Sequence, residues 1–306
     1  MRITLDQAAA KLAIGDVVAV PTETVYGLAA SVNSPEAVKK VFQVKGRPSN
    51  NPLIIHISEV EQIQPFHPKY DASFAKLAAA FWPGPLTLVL PIDPHTVLES
   101  VRAGLSTAAF RIPNHQVALK LLSKTGPLVM PSANLSGKPS STSADHVESD
   151  FGMGFPVLDG GSCRCGVEST VMIFQDQQWV IIRQGVLTPQ DFHPVLGYVP
   201  AIDSGKQERP ICPGQMYRHY APKAKLRLAT EFTQGIVLGF TDLEYPKECE
   251  ILYLGELSHP ETIAENLYRT LRYLDEKGIK EAVVDMRFND AGMMKTIAER
   301  LWKAAS

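Results

Sequence analysis

Short apolar runs cut by proline, glycine and small hydroxyl residues set the rhythm of the first two hundred residues. Val17 to Val20, Leu53 to Ile57, Leu86 to Leu90, Leu105 to Pro113, Gly126 to Met130, Glu168 to Ile173 and Trp179 to Arg183 each read as a strand bounded by turn formers. Helical spacing lies between them. Leu5, Ala8, Ala9 and Leu12 share one side of a helix that Gly15 can end. Ser34 as N-cap and Pro35 at the first helical position open a second helix through Val38 and Val41. An alanine-rich helix over Ser73 to Phe81 stops at Trp82-Pro83-Gly84-Pro85.

Beyond residue 200 the pattern changes. The stretch from Pro200 to Pro222 has proline at both ends and few apolar positions, which marks a linker over 201–222. From 223 to 306, strands at Ile236 to Phe240, Glu250 to Leu254 and Glu281 to Asp285 alternate with helices at Glu261 to Glu276 and Gly292 to Ala304. That alternation predicts a second, smaller α/β unit with a parallel sheet, so the chain divides into a larger α/β domain over 1–200, a linker and a C-terminal domain.

The polar interruptions at strand ends are the candidate chemistry, because open α/β sheets place ligands there. Pro21-Thr22-Glu23-Thr24-Val25-Tyr26-Gly27-Leu28 puts two hydroxyls and a carboxylate after the first strand, in a ligand turn or a capping turn. Lys45-Gly46-Arg47-Pro48-Ser49-Asn50-Asn51-Pro52 is a stiff, donor-rich turn: Arg47 offers a planar fork to phosphate or carboxylate, and Lys45 a point charge. A solvated basic turn is the plain alternative. Arg111 and Arg183 sit at the ends of apolar runs, where a cation needs either a structural carboxylate or an anion in a cavity. Pro131-Ser132-Ala133-Asn134-Leu135-Ser136-Gly137 adds a hydroxyl, an amide and backbone donors, and Ser140 follows in a serine-rich loop. The linker run Tyr217-Arg218-His219-Tyr220 is rich in recognition chemistry for a spacer.

Composition narrows the classes. Lys plus Arg number 30 and Asp plus Glu 32, a net charge of −2, so no global positive field draws in nucleic acid. Cys163, Cys165, Cys212 and Cys249 are too few and too irregular for a disulfide framework or a zinc site. Without an apolar leader core or a bilayer-length apolar run, the expectation is a soluble cytoplasmic protein with no membrane partner.

Four motifs in order, Pro-Thr-Glu-Thr-Val-Tyr-Gly-Leu at 21 to 28, Lys-Gly-Arg-Pro at 45 to 48, Pro-Ser-Ala-Asn-Leu-Ser-Gly at 131 to 137 and Glu-Ser-Thr-Val at 168 to 171, resemble the YrdC/Sua5 family of threonylcarbamoyl-AMP synthases. Tyr-Arg-His-Tyr-Ala-Pro at 217 to 222 and the added α/β unit resemble its long, Sua5-type members. The resemblance implies a twisted mixed sheet with flanking helices, plus a Rossmann-like C-terminal domain. It implies L-threonine, bicarbonate and ATP as substrates, Mg2+ on the triphosphate without dedicated protein ligands, and pyrophosphate as a product. The adenylate would pass to a tRNA threonylcarbamoyl-transferase complex for t6A modification of tRNAs reading codons that begin with A; direct tRNA binding has little support in the charge pattern.

The same resemblance assigns Thr24, His56, Arg111 and Ser169 to threonine, with Arg111 on its carboxylate. It assigns Lys45, Arg47, Asn51, Thr107, Ser132, Asn134, Ser140 and Arg183 to the nucleotide, with Lys45, Arg47, Ser132 and Asn134 as the signature tetrad and Tyr217 and His219 as lid contacts. Gln215-Met216 departs from the family's usual Met followed by a basic residue, and the Cys163-Arg164-Cys165 loop is unfamiliar there. His56 and Glu23 are the candidates for taking the amine proton; a ligand-orienting or simply packed ring is the stronger reading of His56, and a structural partner for a nearby cation is an equal reading of Glu23. Two other functions remain open on the residues: an RNA-binding module of the same fold, and a carbamoyl-adenylate enzyme serving another acceptor.

If Lys45 and Arg47 stabilise charge at phosphorus, Lys45→Ala and Arg47→Ala each lower adenylate synthesis more than tenfold, about 1.4 kcal/mol of transition-state stabilisation. Pyrophosphate release by the purified, folded double variant at the unsubstituted rate would contradict that assignment.

Overall fold

Chain order in the larger unit runs β1 (Arg2–Ile3), α1 (Leu5–Ala13), β2 (Val18–Val20), β3 (Gly27–Ser31), α2 (Pro35–Lys45), β4 (Ile54–His56), α3 (Ala72–Phe81), β5 (Leu86–Pro91) and α4 (Glu99–Arg102). It continues through β6 (Thr107–Arg111), α5 (Gln116–Thr125), β7 (Leu128–Val129), α6 (Ala144–Phe151), β8 (Val157–Leu158), β9 (Thr170–Gln175), β10 (Gln178–Arg183) and α7 (Pro189–Leu196). The smaller unit contains β11 (Lys225–Ala229), β12 (Gly235–Phe240), β13 (Cys249–Gly255), α8 (Pro260–Glu276), β14 (Glu281–Asp285) and α9 (Met293–Ala305). The computed structural model describes residues 1–203, 211 and 220–306, so Tyr217 and His219 lie outside the described residues.

Local chemistry accounts for the helix ends. The Thr4 hydroxyl accepts from the Gln7 N–H while the Gln7 side chain accepts from the Thr4 N–H, a reciprocal cap on α1. Ser34 caps α2, and Gly46, in the left-handed region at φ 60°, ends it. Lys45 is therefore the last residue of a helix, and the turn proper begins at Gly46.

The larger unit is one mixed sheet in the order β1-β8-β2-β3-β7-β4-β6-β5-β9-β10. β4 pairs with β6 in parallel, setting His56 beside Arg111, and β5 pairs with β9 in parallel, setting Leu86 beside Thr170. Its main core gathers Tyr26, Leu28, Phe42, Ile55, Phe74, Leu88, Phe110 and Trp179. The smaller unit is a parallel sheet in the order β11-β14-β12-β13, the Rossmann-like arrangement expected from its βα alternation. No described helix is long and apolar enough to cross a membrane.

The second core crosses the boundary between the units. Val25 and Val167 of the first pack with Ile263, Leu267, Leu271 and Leu301 of the second. Gly166 makes that approach possible: a Cβ there would lie 2.1 Å from the Ala264 carbonyl oxygen of α8, and its φ of +69° is left-handed. Gly166→Ala should therefore cost at least about 2 kcal/mol, combining a disfavoured φ with overpacking. Urea unfolding of the full chain measures it, and a loss under about 0.5 kcal/mol would mean that the helix is free to back away.

Candidate functional site

The strand ends converge on one pocket. It is lined by Thr22, Thr24, Val25, Gly27, Arg47, Ile54, His56, Arg111, Met130, Pro131, Ser132, Asn134, Lys138, Ser140, Glu168, Ser169, Arg183 and Tyr220. Of the predicted residues, Thr24, Arg47, His56, Arg111, Ser132, Asn134, Ser140, Ser169 and Arg183 are thus brought together. Lys45, Asn51 and Thr107 do not line it.

Backbone pairing brings in the 131–134 segment. Gly27 bridges Ser132, the Leu28 N–H donates to the Pro131 carbonyl at 2.6 Å, and the Ala133 N–H donates to the Tyr26 carbonyl at 2.7 Å. A Cβ on Gly27 would sit 3.0 Å from the Met130 side chain, so a small residue keeps this seam closed. The Thr22 hydroxyl accepts from the Thr24 and Val25 N–H groups and donates to the Val25 carbonyl at 2.6 Å. Thr22 is thus the turn-former of the Thr-Glu-Thr segment, and Thr24 faces the pocket.

Two buried arginines line the pocket from strands three steps apart in the sheet, β6 and β10, each with a carboxylate nearby. Arg111 Nη2 lies 2.7 Å from Glu23 Oε1, an ion pair without a well-directed hydrogen bond, while its Nε donates to the Gly84 carbonyl at 3.2 Å. Arg183 Nη2 donates to the Ser169 carbonyl at 2.8 Å and to the Ser169 hydroxyl at 3.0 Å, and that hydroxyl shares a 2.8 Å hydrogen bond with Thr87. Arg183 also belongs to the group of charges around Glu168. Guanidinium groups held this way present fixed positive charge inside a low-dielectric cavity, where it acts far more strongly on an anion than in water.

His56, on β4, lies beside Arg111, its register partner on the neighbouring strand β6. Burial and the Arg111 charge lower its pKa to about 3, so the imidazole is neutral at working pH. Its Nδ1 lies 3.3 Å from the Ile54 carbonyl and faces it as donor, which leaves Nε2 as an acceptor. A ring this hard to protonate is a poor general base and a good hydrogen-bonding post.

The basic turn divides its two cations. Arg47 Nη2 donates to the Asn51 and Pro52 carbonyls at 3.3 and 3.1 Å from within the pocket wall. Lys45 points behind the wall: its Nζ donates to the Ser132 carbonyl and, at 2.7 Å, to the Asn134 carbonyl. Burial and the Arg47 charge push its amine well below the ordinary lysine range. Lys45 thus braces the segment that carries Ser132 and Asn134. The Asn134 amide donates to the Leu135 and Lys138 carbonyls, leaving its buried Oδ1 without a hydrogen-bond donor among the described residues. The Asn51 Oδ1 is in the same condition. Thr107 begins β6, four residues before Arg111 and so roughly 13 Å away along the strand.

Glu168 and Tyr220 also line the pocket, although neither was assigned from sequence. Both lay inside quoted motifs, Glu-Ser-Thr-Val and Tyr-Arg-His-Tyr; what singles them out is contact with residues of the C-terminal unit. Cys163 is buried, and burial raises the pKa of its thiol, as it does for Cys165, so neither is an activated nucleophile. Among the described residues no group of three or more His, Cys, Asp or Glu is placed to hold a metal ion.

An α/β pocket lined by three arginines, several hydroxyls and the Asn134 amide defines a binding protein or enzyme for small anions. Residues 10–185 match the Sua5/YciO/YrdC family model, described as telomere recombination, and residues 187–306 match the threonylcarbamoyl-AMP synthase C-terminal domain. The threonylcarbamoyl-AMP synthase of Bacillus subtilis is 40% identical, with 98% of this chain and 92% of that protein covered. The one from Pyrococcus abyssi is 39% identical over 95% and 91%. The crystal structure of P. abyssi Sua5 complexed with L-threonine superposes with a TM-score of 0.89 at 35% identity, over 100% of this chain and 96% of that one. The chain belongs to the Sua5 family of threonylcarbamoyl-AMP synthases, in its long, two-unit form.

Histidines that are buried and neutral make stability depend on pH. His146 behaves like His56, with burial and Arg272 lowering its pKa to about 4. As pH falls through 6.5 the unfolded chain takes up protons at both rings and the folded chain does not, so stability is lost from there downwards, with a limiting slope of about 1.4 kcal/mol per pH unit for each ring. Urea unfolding should show a loss of at least about 2 kcal/mol between pH 7.5 and pH 5. A flat profile over that window would show that both rings protonate freely in the folded protein.

Proposed function

We infer that this chain is an L-threonylcarbamoyladenylate synthase that consumes L-threonine, bicarbonate and ATP and releases pyrophosphate. The observation that carries the reading is the convergence of Arg111, His56, Thr24 and Ser169 with Arg47, Ser132, Asn134, Ser140 and Arg183 in one pocket of a two-unit Sua5-family chain. ATP would enter as its magnesium complex, the cation offsetting phosphate charge without a dedicated protein ligand.

Arg111 is suited to the threonine carboxylate, because its guanidinium is already turned by the Gly84 carbonyl and Glu23. Neutral His56, Thr24 and Ser169 supply hydrogen-bonding groups without adding charge. The threonine amine forms a bond to the bicarbonate carbon and water is lost, giving a carbamate. A carbamate oxygen then attacks the α-phosphorus, the bond from that phosphorus to the bridging oxygen breaks, and pyrophosphate leaves. No covalent protein intermediate is required. Arg47 and Arg183 stabilise charge on the phosphates, and the rest of the rate comes from holding the reactants together.

The adenylate is an activated acyl donor, and its hand-off to a tRNA threonylcarbamoyl-transferase complex, supplying t6A, is the proposed fate. Net charge of −2 gives no general attraction to RNA, which disfavours the RNA-binding alternative. Of the two enzymatic readings, the threonine acceptor is favoured because a relative similar over the whole of this chain was solved with L-threonine.

Pyrophosphate release from ATP and bicarbonate should require threonine. Arg111→Met should raise the threonine KM at least tenfold, about 1.4 kcal/mol of lost binding, with less effect on the ATP KM. Equal release with and without any amino acid would remove threonine as the acceptor.

A further inference from the structure

The C-terminal unit supplies part of the pocket's supporting structure from helices that do not themselves line it. Tyr268 of α8 donates its hydroxyl to the Glu168 carboxylate, 3.0 Å from both oxygens, and Arg300 of α9 donates from Nε at 3.1 Å. From the pocket side the Ser140 hydroxyl donates to the same carboxylate at 2.7 Å. The Tyr220 ring stacks on Tyr268 with centroids 5.2 Å apart and planes inclined at 22°, and the Arg300 guanidinium lies 5.4 Å from the Tyr220 centroid. Glu168, Ser140 and Tyr220 line the pocket. Arg300 also donates to the Gln184 carbonyl at 2.7 Å, directly after Arg183.

Holding the two units together does not demand this polar cluster. The apolar contacts of Val25 and Val167 and the close packing of Gly166 on α8 already do so. Well-packed apolar residues would serve a plain interface as well as a buried ion pair, or better. A charged hub whose acceptors are met by donors from both units instead fixes the direction of each donor. Arg272 of α8 braces the same loop from behind, donating to the Pro139 carbonyl at 2.5 Å and to Asp150 at 2.8 Å.

We propose that Tyr268 and Arg300 are positioning residues for the synthase reaction: through Glu168 they orient the Ser140 hydroxyl, and through ring contacts they seat Tyr220 in the pocket wall. The inference rests on the synthase reading above, with Ser140 on the nucleotide side. The C-terminal unit therefore contributes to ATP binding without touching ATP through these two residues.

The test uses the full chain with Tyr268→Phe, Arg300→Met and Arg300→Lys. Arg287→Met serves as control, because Arg287 pairs with Asp285 inside the C-terminal unit, away from the pocket. Steady-state pyrophosphate release gives kcat and both KM values, and calorimetric titration with a non-hydrolysable ATP analogue gives binding without turnover. Tyr268→Phe keeps the ring and loses one donor; it should raise the ATP KM and the analogue Kd about threefold or more, and Arg300→Met about tenfold, with threonine KM within about twofold. Arg300→Lys, which restores the charge but not the fork, should fall between Arg300→Met and the unsubstituted protein.

ATP KM and analogue Kd matching those of Arg287→Met in both Tyr268→Phe and Arg300→Met would overturn the proposal. So would a loss of kcat alone. If Arg300→Met fails to fold, Tyr268→Phe decides by the same criteria. If the unsubstituted chain releases no threonine-dependent pyrophosphate, the synthase reading fails by itself, and the analogue titrations still decide whether Tyr268 and Arg300 position the site.

Discussion

One buried carboxylate ties the two units of this protein to the same pocket. Burial would push Glu168 above the ordinary glutamate range, and the charges of Arg300 and Arg183 outweigh that and hold it below. The ionised group is sustained by donors from three distant stretches of chain: Ser140, Tyr268 and Arg300. Removing any one leaves part of a buried charge uncompensated, which is expensive in a way that losing a surface ion pair is not. The C-terminal unit is thereby coupled energetically to the loop carrying Ser140.

The Arg111 side of the pocket follows a related logic with a different purpose. Arg111 and Glu23 are both buried, and their contact at 2.7 Å lacks a well-directed hydrogen bond. Such a pair keeps the cation tolerable in an apolar setting while leaving room for a substrate carboxylate to compete for it. Neutral His56 beside it avoids a second positive charge that would raise the cost of the empty pocket. Lys45, braced on the carbonyls of Ser132 and Asn134, stiffens the segment that carries these two lining residues. Arg111, Arg183 and Ser140 are thus set by backbone or carboxylate partners remote in sequence, and Arg47, His56 and Asn134 by nearby carbonyls, which is how a pocket at strand ends reaches the precision that positioning catalysis requires.

Elements governed by local chemistry were legible in the sequence. Ser34 and Pro35 announce α2, the alanine-rich stretch announces α3, and the βα alternation after residue 223 announces the parallel sheet. β3 was not identified, because Gly27-Leu28-Ala29-Ala30-Ser31 has little strand propensity of its own and is extended through pairing with β2 and β7. α5 was passed over even though Ala118, Leu121 and Leu122 are spaced as a helical face. Side-chain direction was the part that could not be read. Lys45 and Arg47 look equivalent in the motif, and only the fold shows that one turns to carbonyls 87 and 89 residues away while the other faces the pocket. Glu168 was visible within a motif, but its partner Arg300 lies 132 residues further on, beyond any local pattern.

The coupling across Glu168 is most directly tested by a double-mutant cycle in stability on the full chain, using Glu168→Gln, Arg300→Met and the combination. An energetically tied pair predicts that the double variant is more stable than the sum of the single losses by about 1.5 kcal/mol or more, because removing both partners leaves no orphaned charge. Losses that add within about 0.5 kcal/mol would contradict the account, showing that the two units share a boundary but not an interaction on which the pocket depends.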